Sequence, residues 1–453
     1  MEQPAWQYDS GVPEPSAIAA PARTLVIDLE GALLRSELAY EALFADVGRC
    51  FASLRARGFA SLGDVLAQAE VDYAHLPYDS DVLNQALAAR ARGAKIYLVA
   101  GRFADHAAAI AAHLGFDGVV APADLVAGDA LPFDRASIER IGERRSSSAS
   151  LKTSSLKPSS LKTSRLKTWA NALRVYQYAK NTLVFVPAIT AHQMNFATLG
   201  HALLAFLAFS ACASGAYLMN DLLDLAADRR HPTKRHRALA AGDLPISSAL
   251  RAIPALWLFA VAASLCISPL FLGVLGAYLA ATIAYSLALK RKMLVDVVTL
   301  AGLYTLRIIA GAVGVGVVLS EWLLIFSLFV FTSLALIKRF SELSMRESAG
   351  LADPSNRDYR ITDLQIIAAM AAASAMNAVT VFSLYVSSSA VTPLYSRPWM
   401  LWLLNPLLLY WFGRALMMAH RREMPDDPII YSFRDGASRI TVAAMICIML
   451  AAI

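Results

Sequence analysis

A soluble α/β domain followed by an all-α polytopic membrane bundle is the architecture expected of this sequence, and three observations lead to it. The 453 residues are 57% hydrophobic and carry a formal net charge of +6, but these averages conceal two unlike halves. Up to about Gly142 charged and apolar residues mix as in a soluble domain. From about Asn171 onward long apolar runs alternate with short charged loops, the pattern of a helical membrane protein. Between them runs a five-residue repeat of Ser-Leu-Lys-Thr/Pro-Ser, with no helical or strand periodicity that could bury a face. The expected division is therefore an α/β domain over 1–148, a flexible linker over 149–169 and a transmembrane domain over 170–453. The linker lysines are suited to touch anionic headgroups.

The first domain opens on Thr24-Leu-Val-Ile-Asp28-Leu-Glu30-Gly31, an apolar strand ending in acid and glycine. Helical segments follow, then a second strand Lys95-Ile-Tyr-Leu-Val-Ala100 with Gly101 and Arg102 after it. Strands alternating with helices imply a parallel sheet, with chemistry at the carboxyl ends of the strands. This resembles the haloacid dehalogenase superfamily, whose first motif carries an Asp nucleophile and, two residues later, an Asp acid. The resemblance makes Asp28 the nucleophile. Glu30 stands at the acid's place, Ala100 stands where a hydroxyl belongs, and no late acidic motif precedes the linker. A phosphoaspartate mechanism then lacks the groups that neutralise the transferring phosphoryl group, so a truncated, inactive relative is expected.

In the second half about nine spans are expected, centred near Phe185, Ala208, Phe259, Tyr278, Thr305, Val330, Ala373, Leu408 and Met445. One set of connections carries Arg229 to Arg237, Lys290 to Lys292, Lys338 with Arg339 and Arg346, and Arg414 with Arg421 and Arg422. The intervening connections near Met194, Ser268 and Ser320 have no Lys or Arg, and the one near Ser387 has only Arg397. Basic loops stay on the cytoplasmic side, so the N-terminal domain and the basic clusters are expected to face the cytosol from an inner membrane. No basic-then-apolar leader opens the chain, so the first spans are expected to direct insertion. Cys50, Cys212, Cys266 and Cys447 have no metal-ligand spacing and read as small core residues. Small residues such as Gly302, Ala310 and Gly311 suit close helix contact.

The most informative stretch is Asn220-Asp221-Leu-Leu-Asp224-Leu-Ala-Ala-Asp228, at the polar end of an apolar segment. Positions spaced i, i+3 and i+4 are helix neighbours, so Asp221, Asp224 and Asp228 are expected to form one acidic stripe. Like charges so close repel unless a cation sits among them. Magnesium suits that place, since it takes oxygen ligands and is commonly shared between carboxylates and substrate phosphates. Arg229, Arg230, His231, Lys234, Arg235, His236 and Arg237 follow at once, a cationic run for phosphate oxygens. Any one of these charges alone reads as a solvated flank; the constellation does not.

Residues 170–453 resemble the UbiA superfamily of intramembrane transferases, and within it the decaprenyl-phosphate phosphoribosyltransferase branch. Asn220 to Asp228 match the family's first Asp-rich motif, and His231-Pro232-Thr-Lys234-Arg-His-Arg237 with Gly242 match the segment after it. Arg174-Val-Tyr-Gln177-Tyr-Ala-Lys180-Asn181 looks like the first-helix motif, and Tyr285 to Lys290, Asp296 and Arg307 resemble the second motif region. Three positions depart from the pattern: Leu300 replaces a second Asp, Ala238 a proline and Tyr178 a tryptophan. The resemblance implies a magnesium-bound diphosphate leaving from carbon, with phosphoribosyl diphosphate as donor and a polyprenyl phosphate as acceptor. Asp221, Asp224 and Asp228 then hold the metal. Asn220, Arg174, Lys180, Asn181, Lys234, Arg237, Tyr285, Lys290, Asp296, Arg307, Lys338 and Arg339 become the substrate-binding set, with no nucleic-acid partner. Arg357 to Arg360 and Glu423 to Pro428 are loops that could cap the site. An aromatic prenyltransferase using a polyprenyl diphosphate, or a transporter, remain as other readings. Two anionic ligands account better for so many cations, and no inverted repeat of broken helices supports transport.

Overall fold

A computed structural model describes residues 24–453 except 46, 58–61, 102, 128–137, 143–164, 194, 355–356, 390, 392–393 and 425–427. Arg102, most of the repeat linker, Asp426 and Asp427 lie outside the described residues. The chain groups into two units: residues 1–168 with 222–247, and residues 169–221 with 248–453. The linear division expected from composition therefore differs at one place, because Leu222–Ser247 groups with the N-terminal region.

The first unit is built on four parallel strands, β1 (Thr24–Asp28), β2 (Ile96–Val99), β3 (Gly118–Val120) and β4 (Ile138–Ile141), in the order β3-β2-β1-β4. Parallel β1 needs crossovers to reach its neighbours, and helices supply them: α1 (Leu38–Ala45), α2 (Val47–Arg57), α3 (Leu62–Ala67), α4 (Ser80–Ala91), α5 (Ala104–Leu114) and α6 (Pro122–Ala127). Asp79 caps α4 by accepting from the backbone N–H of Asp81 and Val82 at 3.0 and 3.3 Å. Leu25, Ile27, Leu29, Ile96 and Leu98 pack with Ala107 and Ile110 in the core beneath β1 and β2. The continuous apolar reading of both strands follows from burial on both faces, as in parallel sheets generally. What the structure establishes is this small parallel sheet.

The helices of the second half are α7 (Arg165–Ala172), α8 (Val186–Thr190), α9 (Phe196–Leu223), α10 (Leu225–Arg230), α11 (Ile246–Ile267), α12 (Pro269–Leu287), α13 (Val295–Val315), α14 (Glu321–Ser348), α15 (Leu364–Ser387), α16 (Leu404–His420), α17 (Pro428–Arg434) and α18 (Gly436–Ala452). Among the described residues seven helices are long and apolar enough to cross a membrane, against the nine expected. The stretch near Phe185 fails because it is broken. Arg174 takes a left-handed conformation at φ 53, a 3-10 helix runs from Val175 to Phe185, and Pro187 opens α8. The stretch near Met445 is α18, which has only 17 residues.

Several buried clusters hold the second unit together, two of them central to the motifs. Ala335, Leu336 and Ile337 of α14 meet Ile367 and Ala371 of α15, and Phe209 of α9 meets Phe271 and Tyr278 of α12 with Ala310 of α13. Gly311 sits so close to Val184 and Pro187 that any side chain would collide, as its small size implied. Gly302 has open space around it and carries no such constraint. Cys50 and Cys212 are buried as expected, whereas Cys266 and Cys447 are exposed on the faces of apolar helices.

Candidate active site

In the second unit the 3-10 segment sorts the first motif into two edges, since residues three apart eclipse one another in that helix. Tyr178 and Asn181 face inward. Tyr178 shares a 2.9 Å hydrogen bond with Ser214, and Asn181 donates to Ser210 Oγ at 3.0 Å. Arg174 and Lys180 fall on the other edge. Arg174 donates through Nη2 to Asp221 Oδ1 and lies 4.8 Å from the centre of the Tyr217 ring. Lys180 lies 5.7 Å from the centre of the Tyr304 ring.

Arg307 is 4% exposed, deep in α13, and every polar nitrogen with a partner is spent on protein. Nε donates to Asn181 Oδ1 at 2.9 Å, Nη1 to the Leu303 carbonyl at 2.6 Å and Nη2 to the Tyr278 hydroxyl at 3.0 Å. A buried guanidinium so engaged is a tie between α9, α12, α13 and the 3-10 segment. It was expected on substrate; its partners in the structure are protein groups, among them Asn181 of the segment that carries Lys180.

Lys180 also borders an apolar cavity of about 500 Å³ lined by Ile308, Phe326, Val330, Phe331 and Trp411, with Arg439 at another point of its wall. That is a volume suited to a hydrocarbon chain, with a cation available for an anionic head.

The Asp-rich motif is not one continuous helix. Asn220 and Asp221 occupy the last turn of α9, Asp224 lies in a turn outside either helix with φ −93 and ψ 8, and Asp228 belongs to α10. Asp221 and Asp228 are 6% and 2% exposed. Asp228 accepts from Arg237 Nη1 at 2.6 Å, as Asp221 does from Arg174. Among the described residues no three His, Cys, Asp or Glu side chains converge as a metal site. Each of these two buried carboxylates is neutralised by a guanidinium of its own unit, Asp221 by Arg174 and Asp228 by Arg237. Lys234 lies in a short 3-10 turn, Lys234–His236, with its backbone N–H directed at His231 Nδ1 at 3.4 Å.

Asp296 is fully buried in the first turn of α13. Its Oδ1 accepts from the Tyr359 hydroxyl at 2.5 Å and the Val297 amide at 2.7 Å. Its Oδ2 accepts from Arg357 Nη1 at 3.2 Å and lies 3.1 Å from Arg339 Nε. Arg339 and Arg357 also flank Glu342. Burial works against the charge on Arg357, but Glu342, Tyr285 and Asp296 outweigh it and hold its pKa above that of an ordinary arginine. Tyr285 near the end of α12, Lys290 just beyond it and Lys338 within α14 are half-buried.

These environments test the magnesium expectation unequally. Asp221 and Asp228, each within its own unit, offer a hard oxygen donor beside a guanidinium, and Asp224 adds a third carboxylate in the sequence motif, the donor type that magnesium takes. Asp296 does not fit a second ion: three hydrogen bonds and the nearby Arg339 guanidinium already surround its carboxylate, and Leu300 stands where a second acid would be. Sequence reasoning missed the partners of Asp296. Arg357 and Tyr359 were expected in a capping loop, and their position 61 and 63 residues away gave no periodic signal. It also missed Ser210 and Tyr278, ordinary helix residues by pattern, and Glu41 and Arg229, which pair through a buried contact in the first unit.

The chain matches the description "UbiA prenyltransferase family" over residues 182–434. It is 32% identical to the uncharacterized protein y4nM of Sinorhizobium fredii, in an alignment covering 91% of this chain and 88% of that one. It is 33% identical to the nodulation protein NoeC of Azorhizobium caulinodans, covering 61% of this chain and 91% of that one. It is 34% identical to the decaprenyl-phosphate phosphoribosyltransferase of Mycobacterium tuberculosis, covering 43% of this chain and 67% of that one.

Proposed function

The chain belongs to the UbiA prenyltransferase family, and from that premise we propose that it is a magnesium-dependent membrane transferase moving a phosphoribosyl or related group from a diphosphate donor to a polyprenyl phosphate. Seven candidate spans and the family make it an integral membrane protein. The observation that carries the proposal lies in the first motif: one short segment sets Arg174 on Asp221 and Lys180 on the wall of an apolar cavity. That pairs an anion-handling group with a hydrocarbon-sized space, as an acceptor made of phosphate and isoprenoid demands. The mycobacterial relative's name supports phosphoribosyl as the group moved.

Asp221, Asp224 and Asp228 would hold the ion, and bound magnesium would neutralise charge on the departing diphosphate. Arg174 and Arg237 are the guanidinium groups already resting on those carboxylates. Arg174 and Arg237 would bind phosphate oxygens of the donor, contacts that strengthen as the bond to carbon breaks. Lys180 binds the acceptor's phosphate, and Arg307 orients Lys180 by fixing Asn181. Asn220, Lys234, Tyr285, Lys290 and Lys338 complete the polar set, whereas Asp296 and Arg339 hold the loop at Tyr359 in place. The distribution of Lys and Arg among the loops supports a cytosolic orientation of this face.

The N-terminal sheet is read as a non-catalytic relative of the haloacid dehalogenases. Arg140 donates to the Asp28 carboxylate through Nε at 3.1 Å and Nη2 at 2.8 and 3.0 Å, and Glu30 is spent on the Leu38 amide at 2.8 Å. Such an Asp28 is a poor nucleophile.

The test is to incubate membranes containing the protein with labelled phosphoribosyl diphosphate, magnesium and a polyprenyl phosphate, and to look for label in the lipid extract. Label is expected there and absent with Asp221→Ala. Transfer only from a prenyl diphosphate to an aromatic acid would overturn the donor and acceptor assignment.

A further inference from the structure

The loop that follows Asp224 is held by the N-terminal domain through buried charge. Arg229, in α10, is 7% exposed and Glu41, in α1, 4%. Both terminal nitrogens of Arg229 donate to the Glu41 carboxylate, Nη2 to Oε1 at 2.7 Å. Arg229 Nε donates to the Ala240 carbonyl at 3.2 Å, so one guanidinium ties α1 to both arms of the loop.

Three further contacts repeat the attachment. Arg230 Nε reaches Asp72 Oδ2 at 2.6 Å, and Arg35 lies 3.6 Å from Asp243. Gly242, at φ 75, approaches so closely that a Cβ there would lie 2.7 Å from Arg35 Cβ and 3.2 Å from Pro77 Cβ. The attachment is therefore not one surface ion pair of negligible worth. It is a bidentate, desolvated pair with satellites, and removing one partner of such a pair leaves an uncompensated buried charge.

Arg229 is the next residue after Asp228, and the Ala240 carbonyl lies three residues beyond Arg237, the partner of Asp228. We propose that Glu41 is a positioning residue: through Arg229 the N-terminal domain keeps the Asp224–Arg237 loop in the shape that binds the metal and diphosphate, so this otherwise inert domain serves transfer in cis. The proposal rests on the reading of Asp224 and Asp228 as metal ligands.

The experiment uses the full chain in membranes, as wild type, Glu41→Ala, and the exchange Glu41→Arg with Arg229→Glu. Two readouts run in parallel: tryptic cleavage within residues 229–237, and the magnesium concentration for half-maximal transfer. Losing one partner of the pair should speed cleavage on the order of a hundredfold. It should also raise the magnesium requirement about tenfold, and the exchange should reverse both in part. Cleavage unchanged in Glu41→Ala overturns the proposal, as does a released loop with an unchanged magnesium requirement. If Asp228→Asn retains full transfer, the metal-ligand reading fails instead, and the cleavage comparison still judges the clamp.

Discussion

Arg307 and Asn181, 126 positions apart, meet through a 2.9 Å hydrogen bond from Nε to Oδ1, and that bond fixes the broken first segment against α13. Both groups are buried, so neither has water as a substitute partner. Arg307→Met should strand the Asn181 carbonyl oxygen and the Tyr278 hydroxyl, lowering stability by about 2–4 kcal/mol. Thermal unfolding in detergent measures this. A variant as stable as wild type would show that the tie is idle.

Metal dependence follows from the Asp motif. Chelation should abolish transfer and magnesium should restore it. Asp228→Asn should reduce turnover by roughly a hundredfold or more, since an interaction that neutralises transition-state charge is lost. Asp296→Asn should behave differently. It disturbs the Tyr359, Arg357 and Arg339 network, so it should lower stability while leaving the magnesium concentration for half-maximal transfer where it was. A shifted magnesium requirement in Asp296→Asn would show that it binds the metal after all.

The apolar cavity should discriminate between substrates. Val330→Phe adds bulk to its wall and should raise KM for the lipid acceptor about tenfold without changing that for the soluble donor. Equal effects on both constants would remove the cavity from acceptor binding.

Acid should loosen the C-terminal helices through one carboxylate. Arg414 donates to Asp435 at 2.9 and 2.8 Å, and Asp435 caps α18 by accepting from Ser438 at 2.8 Å. Arg414 first, and the Ser438 bonds after it, hold the Asp435 carboxyl well below the usual carboxylate range despite its burial. A depressed folded-state pKa contributes stability that is present above the unfolded value, about pH 4, and lost as pH falls toward the folded one. Wild-type melting temperature should therefore drop below about pH 4 more steeply than that of Asp435→Asn. Parallel curves would contradict the assignment.

The sequence by itself determined the class of structure. Long apolar runs forced membrane helices, because backbone polar groups in lipid must be satisfied within the segment. Alternating strands and helices forced a parallel sheet, and β1 and β2 formed where their apolar runs stand. Spacing also singled out Arg174, Lys180, Asp221 and Asp228 as charges that apolar surroundings do not tolerate without purpose.

Tertiary structure alone decided what each charge touches. Nothing local in the apolar α1 identifies the partner of Glu41; Arg229 lies 188 positions on. Asp296 read as a substrate-binding residue, with nothing local to show that Tyr359, Arg339 and Arg357 close around it. The break at Asp224 and the 3-10 turn before Phe185 were hidden for the same reason. Periodicity reports which face of a segment is apolar, whereas a buried charge takes its role from whichever opposite charge the fold brings within about 3 Å, and that is a property of distant chain meeting distant chain.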